Sequence, residues 1–172
     1  MKKVLTLTLL VVLAVSSAFA AKKYKFEMKD QYSVFLYQEG KDGVKVVKAI
    51  AIAKNADKAI EDAKMDAVAS AIFFGFPKDP TSRMGGNGVP AIITRGAAEY
   101  DAKRAFFDEF FKTGQFLNFV YEVNSTYPSG QNNMQVPGGR KVTIMLGVRY
   151  DLLRKYLEEN GIKNALGDYF GG

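Results

Sequence analysis

The stretch from Arg140 to Tyr150 constrains the fold more than any other part of the chain, because apolar and polar positions alternate along it. A period of two is typical of a β-strand that buries one face and turns the other to water. Such a strand needs neighbours to pair with and a second layer to cover its apolar face. The residues predicted to point into that layer are Val142, Ile144, Leu146 and Val148.

Four further stretches are predicted to be strands. Tyr24–Met28 and Gln115–Asn124 alternate in the same way, whereas Gln31–Gln38 and Val44–Ala53 are rich in aromatic and β-branched residues. The segment between the last two, Glu39–Gly43, contains two glycines. We therefore expect those two strands to form a hairpin.

Three helices are predicted between and after the strands. The first covers Ala56–Phe74 with Asn55 as its N-cap, and its apolar stripe is mostly alanine, which lets a helix lie close to a sheet. The second covers Ala97–Lys112 and has a much bulkier apolar face. The third follows Asp151 as its cap and ends at Asn160, where Gly161 and Ile162 fit a Schellman ending.

With the two stretches before Glu39 counted as one strand, the predicted element order is β, β, α, a long loop, and then α, β, β, α. Strands that follow one another in hairpins, with helices between the pairs, are typical of an α+β fold. The sequence therefore predicts a two-layer sandwich in which antiparallel hairpins carry the helices on one face.

Residues 1–20 have the three parts of a cleavable secretory signal peptide: two lysines, an apolar core and small residues near the end. We expect residues 21–172 to form a single domain that is exported to the periplasm or secreted. The chain has no cysteine, which excludes disulfides and a lipid anchor on a cysteine. No other stretch is long enough to span a membrane, so the mature chain is expected to be soluble.

The segments Gly43–Phe76 and Arg140–Ile162 resemble a class of small bacterial envelope domains. These are the dodecin-like lipoproteins and the related N-terminal domains of flagellar accessory proteins. The resemblance is carried by a strand that leads into an alanine-rich helix and by a closing strand and helix. The lipid-bearing cysteine of that class is missing, and the aromatic helix with its preceding loop is extra. The resemblance implies a non-enzymatic, often oligomeric role in envelope assembly and transfers no catalytic residue. The matching packing residues are Ala59, Ala63, Ala67, Ala71, Val142–Val148, Leu153, Leu157 and Ile162.

The chain also lacks histidine, which excludes Ser-His-Asp and Cys-His catalysis and zinc sites built on imidazole or thiolate. Carboxylate chemistry of the glycosidase type survives, and its candidates are Glu99, Asp101, Asp108 and Glu109. Their positions on the polar side of a helix favour solvated charges instead. No metal and no cofactor is expected, because oxygen ligands such as Asp79 and Asn87 are too widely spaced for calcium.

Two long loops are candidate recognition segments. In residues 76–96, the glycines around Asn87 could present backbone N–H groups to an anion beside Arg83 and Arg95, although a plain flexible turn fits the same residues. In residues 125–139, Tyr127 and Met134 could contact a partner, although a long solvated hairpin loop is the simpler interpretation.

The aromatic helix allows two interpretations. Its four phenylalanines are expected to be core, because a chain without disulfides needs large apolar anchors. In the alternative, one row of them stays exposed in the monomer and is buried in a homo-oligomer. The four residues are Phe106, Phe107, Phe110 and Phe111.

These observations favour a non-enzymatic envelope interaction domain whose partner is an unknown envelope protein or glycan, or a second copy of the chain. A carboxylate-based glycan hydrolase is the first alternative. A weak binder of anionic polymers is the second, since the residues after the signal peptide carry 22 basic and 18 acidic side chains. That excess is too small for the dense basic stripe of a nucleic-acid binder, so no nucleic acid is expected.

Overall fold

The computed structural model describes residues 23–83, 86–124 and 126–162, so the predicted signal peptide lies outside the described residues. The fold is α+β, as predicted, with one antiparallel sheet of five strands and the helices on one side of it. The strands are β1 (Val34–Glu39), β2 (Val44–Ala53), β3 (Val120–Glu122), β4 (Asn133–Val136) and β5 (Gly139–Arg149). The helices are α1 (Ala56–Phe73), α2 (Gly96–Ala102), α3 (Arg104–Lys112) and α4 (Tyr150–Glu159).

The sheet is built around β5, which confirms the importance of its alternating pattern. β5 pairs with β2 along the whole length of β2, from Val44 opposite Arg149 to Ala53 opposite Arg140. Its other edge pairs with β4 near its start and with β3 near its end, and β1 extends the sheet beyond β2. The predicted apolar face is buried, with Val142, Leu146 and Val148 fully inaccessible to water.

Helix α1 covers that face. Asn55 is its N-cap, as predicted, because its Oδ1 accepts a hydrogen bond of 2.9 Å from the backbone N–H of Lys58. The alanines along the helix, among them Ala59, Ala63 and Ala67, are completely buried, so their small side chains bring the helix close to β2 and β5.

The predicted second helix is two helices. The backbone leaves the helical conformation at Lys103, so α2 ends at Ala102 and α3 begins at Arg104. The break allows both pieces to turn a ring inward: Tyr100 packs edge-on against Phe73 of α1, and Phe107 packs against the same ring. A continuous helix was predicted because no glycine or proline marks the break.

One predicted strand is not a strand, and another is a strand only near its end. Residues 24–28 form no strand. Phe26 stacks on Phe111 of α3 with centroids 3.9 Å apart, and Tyr24 packs edge-on against Phe116. Gln115–Phe119 is a 3₁₀ turn that precedes the short β3. That turn buries Phe116 and Phe119, which lie three residues apart, whereas the predicted alternation would have buried Leu117.

The hairpin loop before β5 is more ordered than predicted, since it holds a 3₁₀ turn at Gly130–Asn132 and strand β4. The polar composition of β4 concealed it, because its pairing with β5 depends on the backbone. Helix α4 begins at Tyr150, one residue before the predicted cap Asp151. Its end is the predicted Schellman motif: the N–H of Ile162 donates to the carbonyl of Leu157 at 2.9 Å.

Among the described residues, no helix is both long and apolar enough to cross a bilayer. Within the same residues, no three Asp or Glu side chains converge in a way that could hold a metal ion.

The long segment between α1 and α2 is tied to the domain by its backbone. Phe76 and Val89 exchange two backbone hydrogen bonds, and Leu36 of β1 bonds to Pro77 and Asp79 on either side of Lys78. No regular element forms at residues 91–94. Instead, the N–H groups of Ile92 and Ile93 donate to the last carbonyls of α1, which a helix end otherwise leaves unpaired. This segment therefore acts as a cap on α1.

An ion pair fastens the same segment to the sheet. The Asp79 side chain is fully buried, and Lys48 Nζ lies 2.6 Å from its Oδ2 atom. The backbone N–H and the hydroxyl of Thr81 both donate to the Oδ1 atom of Asp79. Burial by itself raises the pKa of the Asp79 carboxyl, but Lys48 and Thr81 outweigh burial and hold the pKa below its ordinary value.

Replacing Asp79 by asparagine is expected to cost about 2 kcal/mol of unfolding free energy at pH 7, because it removes a charge-assisted buried contact. Since the pKa of Asp79 is lower in the folded state, this contribution is present above the unfolded pKa of about 4 and is lost as the pH falls through the folded value. Urea unfolding at pH 7 and pH 3 measures it. The exposed pair of Asp101 and Arg104 offers a control, since Asp101→Asn should cost less than about 0.5 kcal/mol. If Asp79→Asn lowered the free energy of unfolding by the same amount at pH 7 and pH 3, this explanation would be wrong.

Candidate functional site

A groove of about 520 Å³ opens where the end of α1 meets the start of β1 and the segment between α1 and α2. Its volume lies in the range of sites that bind small ligands and short segments of chain. We call it the aromatic groove. Its lining residues are Gln31, Tyr32, Phe35, Ser70, Phe74, Gly75, Phe76, Pro77, Asn87, Gly88, Val89 and Pro90.

The turn that follows α1 shapes the aromatic groove. Gly75 adopts a positive φ of 78°, and the chain there approaches the backbone of Val89 so closely that a Cβ atom would lie 2.3 Å from the Val89 carbonyl oxygen. The Ser70 hydroxyl donates to the Gly75 carbonyl at 2.7 Å and satisfies it inside the protein. The turn thus sends Phe76 into the core, where it is 1% exposed, and leaves Phe74 at the surface.

Two aromatic rings form the most distinctive part of the groove. Tyr32 is buried, whereas Phe74 is 44% exposed, and the rings meet edge to face with centroids 5.4 Å apart. Burial raises the pKa of the Tyr32 hydroxyl above its ordinary value, so this group stays neutral. An exposed phenylalanine beside a fixed ring provides apolar surface for a ligand.

An ion pair next to the groove fixes the segment that carries Tyr32. Lys29 Nζ donates to both carboxylate oxygens of Asp66 in α1 at 2.6 Å. Asp66 is 6% exposed, and burial raises its pKa despite the neighbouring lysine. None of the residues that line the groove is charged. Its polar groups are the neutral amides of Gln31 and Asn87, the hydroxyls of Tyr32 and Ser70, and the backbone.

The residues predicted for the loop at 76–96 do not line a common cleft. Asn87 lines the aromatic groove, whereas Arg83 and Arg95 are exposed and line none of the three clefts described in this section. Arg95 stands at the N-cap position of α2 without a side-chain hydrogen bond to the helix. An anion site formed by these three side chains stays a prediction.

The two residues predicted for the hairpin loop are also apart. Tyr127 lines a small polar pocket of about 410 Å³, and its hydroxyl donates to Asp57 at the start of α1 with a distance of 2.9 Å. Met134 lies on β4, is 46% exposed and faces away from the helices.

Three of the four phenylalanines of the aromatic helix lie in the core. Phe107, Phe110 and Phe111 are at most 1% exposed. Phe106 is half-buried and packs against the same cluster, with its ring stacked on that of Phe110 at 6.2 Å.

A larger cleft of about 710 Å³ lies between residues 23–28 and helices α2 and α3. Two of the four candidate carboxylates, Asp101 and Asp108, line it. Asp101 is paired with Arg104, and Asp108 accepts a hydrogen bond of 2.7 Å from Tyr100. Burial and this bond raise the pKa of Tyr100 to about 12. Neither carboxylate lies unpaired in apolar surroundings, which is the setting of a glycosidase general acid.

Sequence reasoning did not identify Tyr32, Phe35 or Phe74 as site residues. The available signal was the pair Gly75 and Pro77 on either side of Phe76, because a glycine and a proline so close together mark a sharp turn directly after a helix. Comparisons of the chain with protein-family models, with curated proteins and with solved structures each found no match.

Proposed function

We propose that this chain is a non-enzymatic interaction domain that works outside the cytoplasm and holds an extended, uncharged segment of an envelope protein in the aromatic groove. The observation that carries the proposal is the exposed Phe74 ring in a groove whose lining has no charged residue. Export rests on the predicted signal peptide, and the envelope partner rests on the resemblance described above.

The chemistry of the groove favours a polypeptide over other ligands. Aromatic rings and prolines are the surfaces on which extended, proline-containing peptides dock. The side-chain amides of Gln31 and Asn87 each offer a donor and an acceptor, the same pair that a peptide unit requires. A charged polymer or a phosphate group would need lysine or arginine at the same place.

A displayed library of random hexapeptides, panned against the full chain, tests the proposal. We expect the selected sequences to be uncharged, apolar and enriched in proline. Phe74→Ser should weaken the best peptide about tenfold, because burying one large apolar side chain is worth about 1.5 kcal/mol or more. Leu117→Ser is the matched control, since Leu117 is 37% exposed but lies outside the groove. Selection of charged peptides, or equal losses for both variants, would contradict the proposal.

A further inference from the structure

The face of the sheet that the helices leave uncovered has a regular pattern of side chains. The residues of β2, β5, β3 and β4 that point away from α1 stand opposite one another in rows, and Val123 bonds to the backbone of Met145 beside them. We call these residues the open sheet face. The rows are Ile52–Lys141–Met134, Ile50–Thr143, Lys48–Met145–Val123, Val46–Gly147–Tyr121 and Val44–Arg149.

This face combines exposed apolar side chains with positive charge. The side chains of Ile52, Met134, Val123 and Tyr121 are between 39% and 55% exposed. Its charged residues are all basic, and Lys141 lies directly between Ile52 and Met134 in the first row. No strand position on this face carries a carboxylate, and the ion pair with the nearby Asp79 neutralises Lys48, so the positive charge of the face comes from Lys141 and Arg149.

We propose that the open sheet face docks on the surface of an anionic lipid bilayer. Peripheral binding of this kind combines buried apolar area with electrostatic attraction to anionic headgroups, and this face supplies both. Tyrosine is enriched at the membrane interface. The guanidinium group of Arg149 lies 5.3 Å above the Tyr121 ring, so both side chains are placed to contact lipid headgroups. The open sheet face adjoins the aromatic groove only at Phe35 of β1, which pairs with Lys48.

The charges and the spacing of the rings disfavour two other occupants. A second copy, packed face to face by two-fold symmetry, would bring basic residues against basic residues. A single-stranded nucleic acid would need stacking rings along its path. Phe35 of β1, which pairs with Lys48, and Tyr121 of β3 lie on strands that are separated by two others, about 14 Å apart at the usual strand spacing.

The test is sedimentation with vesicles of phosphatidylcholine alone and with vesicles of phosphatidylcholine mixed with phosphatidylglycerol, whose anionic headgroup attracts basic surfaces. All variants are produced by the same export route, so that they carry the same N-terminus. The full chain is expected to bind only the anionic vesicles. Ile52→Ser with Lys141→Gln should weaken that binding at least fivefold, since one basic residue near such a surface is worth about that factor.

The matched control is Leu152→Ser with Lys155→Gln on α4, which removes an exposed leucine and an exposed lysine from the helical layer. This control should keep its binding within twofold. Circular dichroism and unfolding curves establish that both double variants are folded. Equal loss of vesicle binding in the two double variants would overturn the proposal, as would equal binding of the full chain to neutral and anionic vesicles. Two further results would overturn it: binding to an oligonucleotide but not to vesicles, and a dimer that Ile52→Ser with Lys141→Gln converts to a monomer.

Discussion

Replacing Gly75 by alanine is expected to lower the free energy of unfolding by about 3 kcal/mol and to detach the segment after α1 from the helix. An alanine with a positive φ costs about 1–2 kcal/mol. The overlap with backbone atoms adds a comparable amount, because the new Cβ would lie 2.3 Å from the Val89 carbonyl oxygen and 2.7 Å from the Ala91 nitrogen. Since neither atom belongs to a flexible side chain, the whole segment has to move.

Gly86→Ala is the control for this prediction. Gly86 also has a positive φ, of 41°, and lies in the same segment, but a Cβ there would meet no atom within 4 Å. We expect a loss of about 1 kcal/mol from the backbone alone. Urea unfolding of both variants separates the two costs, and hydrogen exchange at the amides of Val89, Ile92 and Ile93 reports the detachment. Equal destabilisation by both changes would show that close approach at Gly75 is unimportant.

Replacing Phe110 by alanine is expected to cost about 4 kcal/mol of unfolding free energy. Phe110 is 1% exposed and lies at the centre of the aromatic cluster between α3, α4 and the 3₁₀ turn that precedes β3. Its truncation removes apolar contacts on every side and leaves a cavity that rigid rings fill poorly. The rings around it are Phe106, Phe111, Phe119 and Tyr156.

Phe74→Ala is the comparison, because Phe74 has the same side chain but is 44% exposed. Its truncation should cost about 1 kcal/mol or less, since surface substitutions seldom cost more. Thermal or urea unfolding together with solution mass distinguishes the two roles of the aromatic helix. If Phe110→Ala kept its stability but changed the solution mass, the row would serve an oligomer and not the core.

The parts of the fold that were predicted correctly are those in which local signals and tertiary packing agree. In β5 the alternation of valine, isoleucine and leucine matches the face that α1 covers. Asn55 at the start of α1 and the Gly161–Ile162 ending of α4 act through hydrogen bonds within a few residues. Such signals can be recognised from the sequence alone, because the residues that interact are close together in the chain.

The predictions failed where a distant contact decides the local structure. The alternation of Tyr24, Phe26 and Met28 is real, but these side chains pack against the aromatic core, with Phe26 stacked on α3, and not within a sheet. The break at Lys103 exists because Tyr100 and Phe107 both reach Phe73, a contact between residues far apart in the chain. Local patterns carry no information on such partners.

The candidate site was harder to predict than the fold. Phe73 and Phe74 are identical neighbours in the sequence, yet the first is 4% exposed and the second is 44% exposed. Only the place at which α1 ends, set by the turn at Gly75, determines which ring belongs to the core and which to the groove. Of the residues proposed from the loops, Asn87 alone lines the groove.

The most direct test of the proposed function is an NMR titration of the ¹⁵N-labelled full chain with the tightest peptide from the library. The account predicts that amide shifts concentrate at Gln31, Tyr32, Gly75, Asn87 and Val89, and that Phe74→Ser requires about ten times more peptide to produce the same shifts. Shifts that map instead to residues 23–28 and to α2 and α3, around the larger cleft, would contradict it.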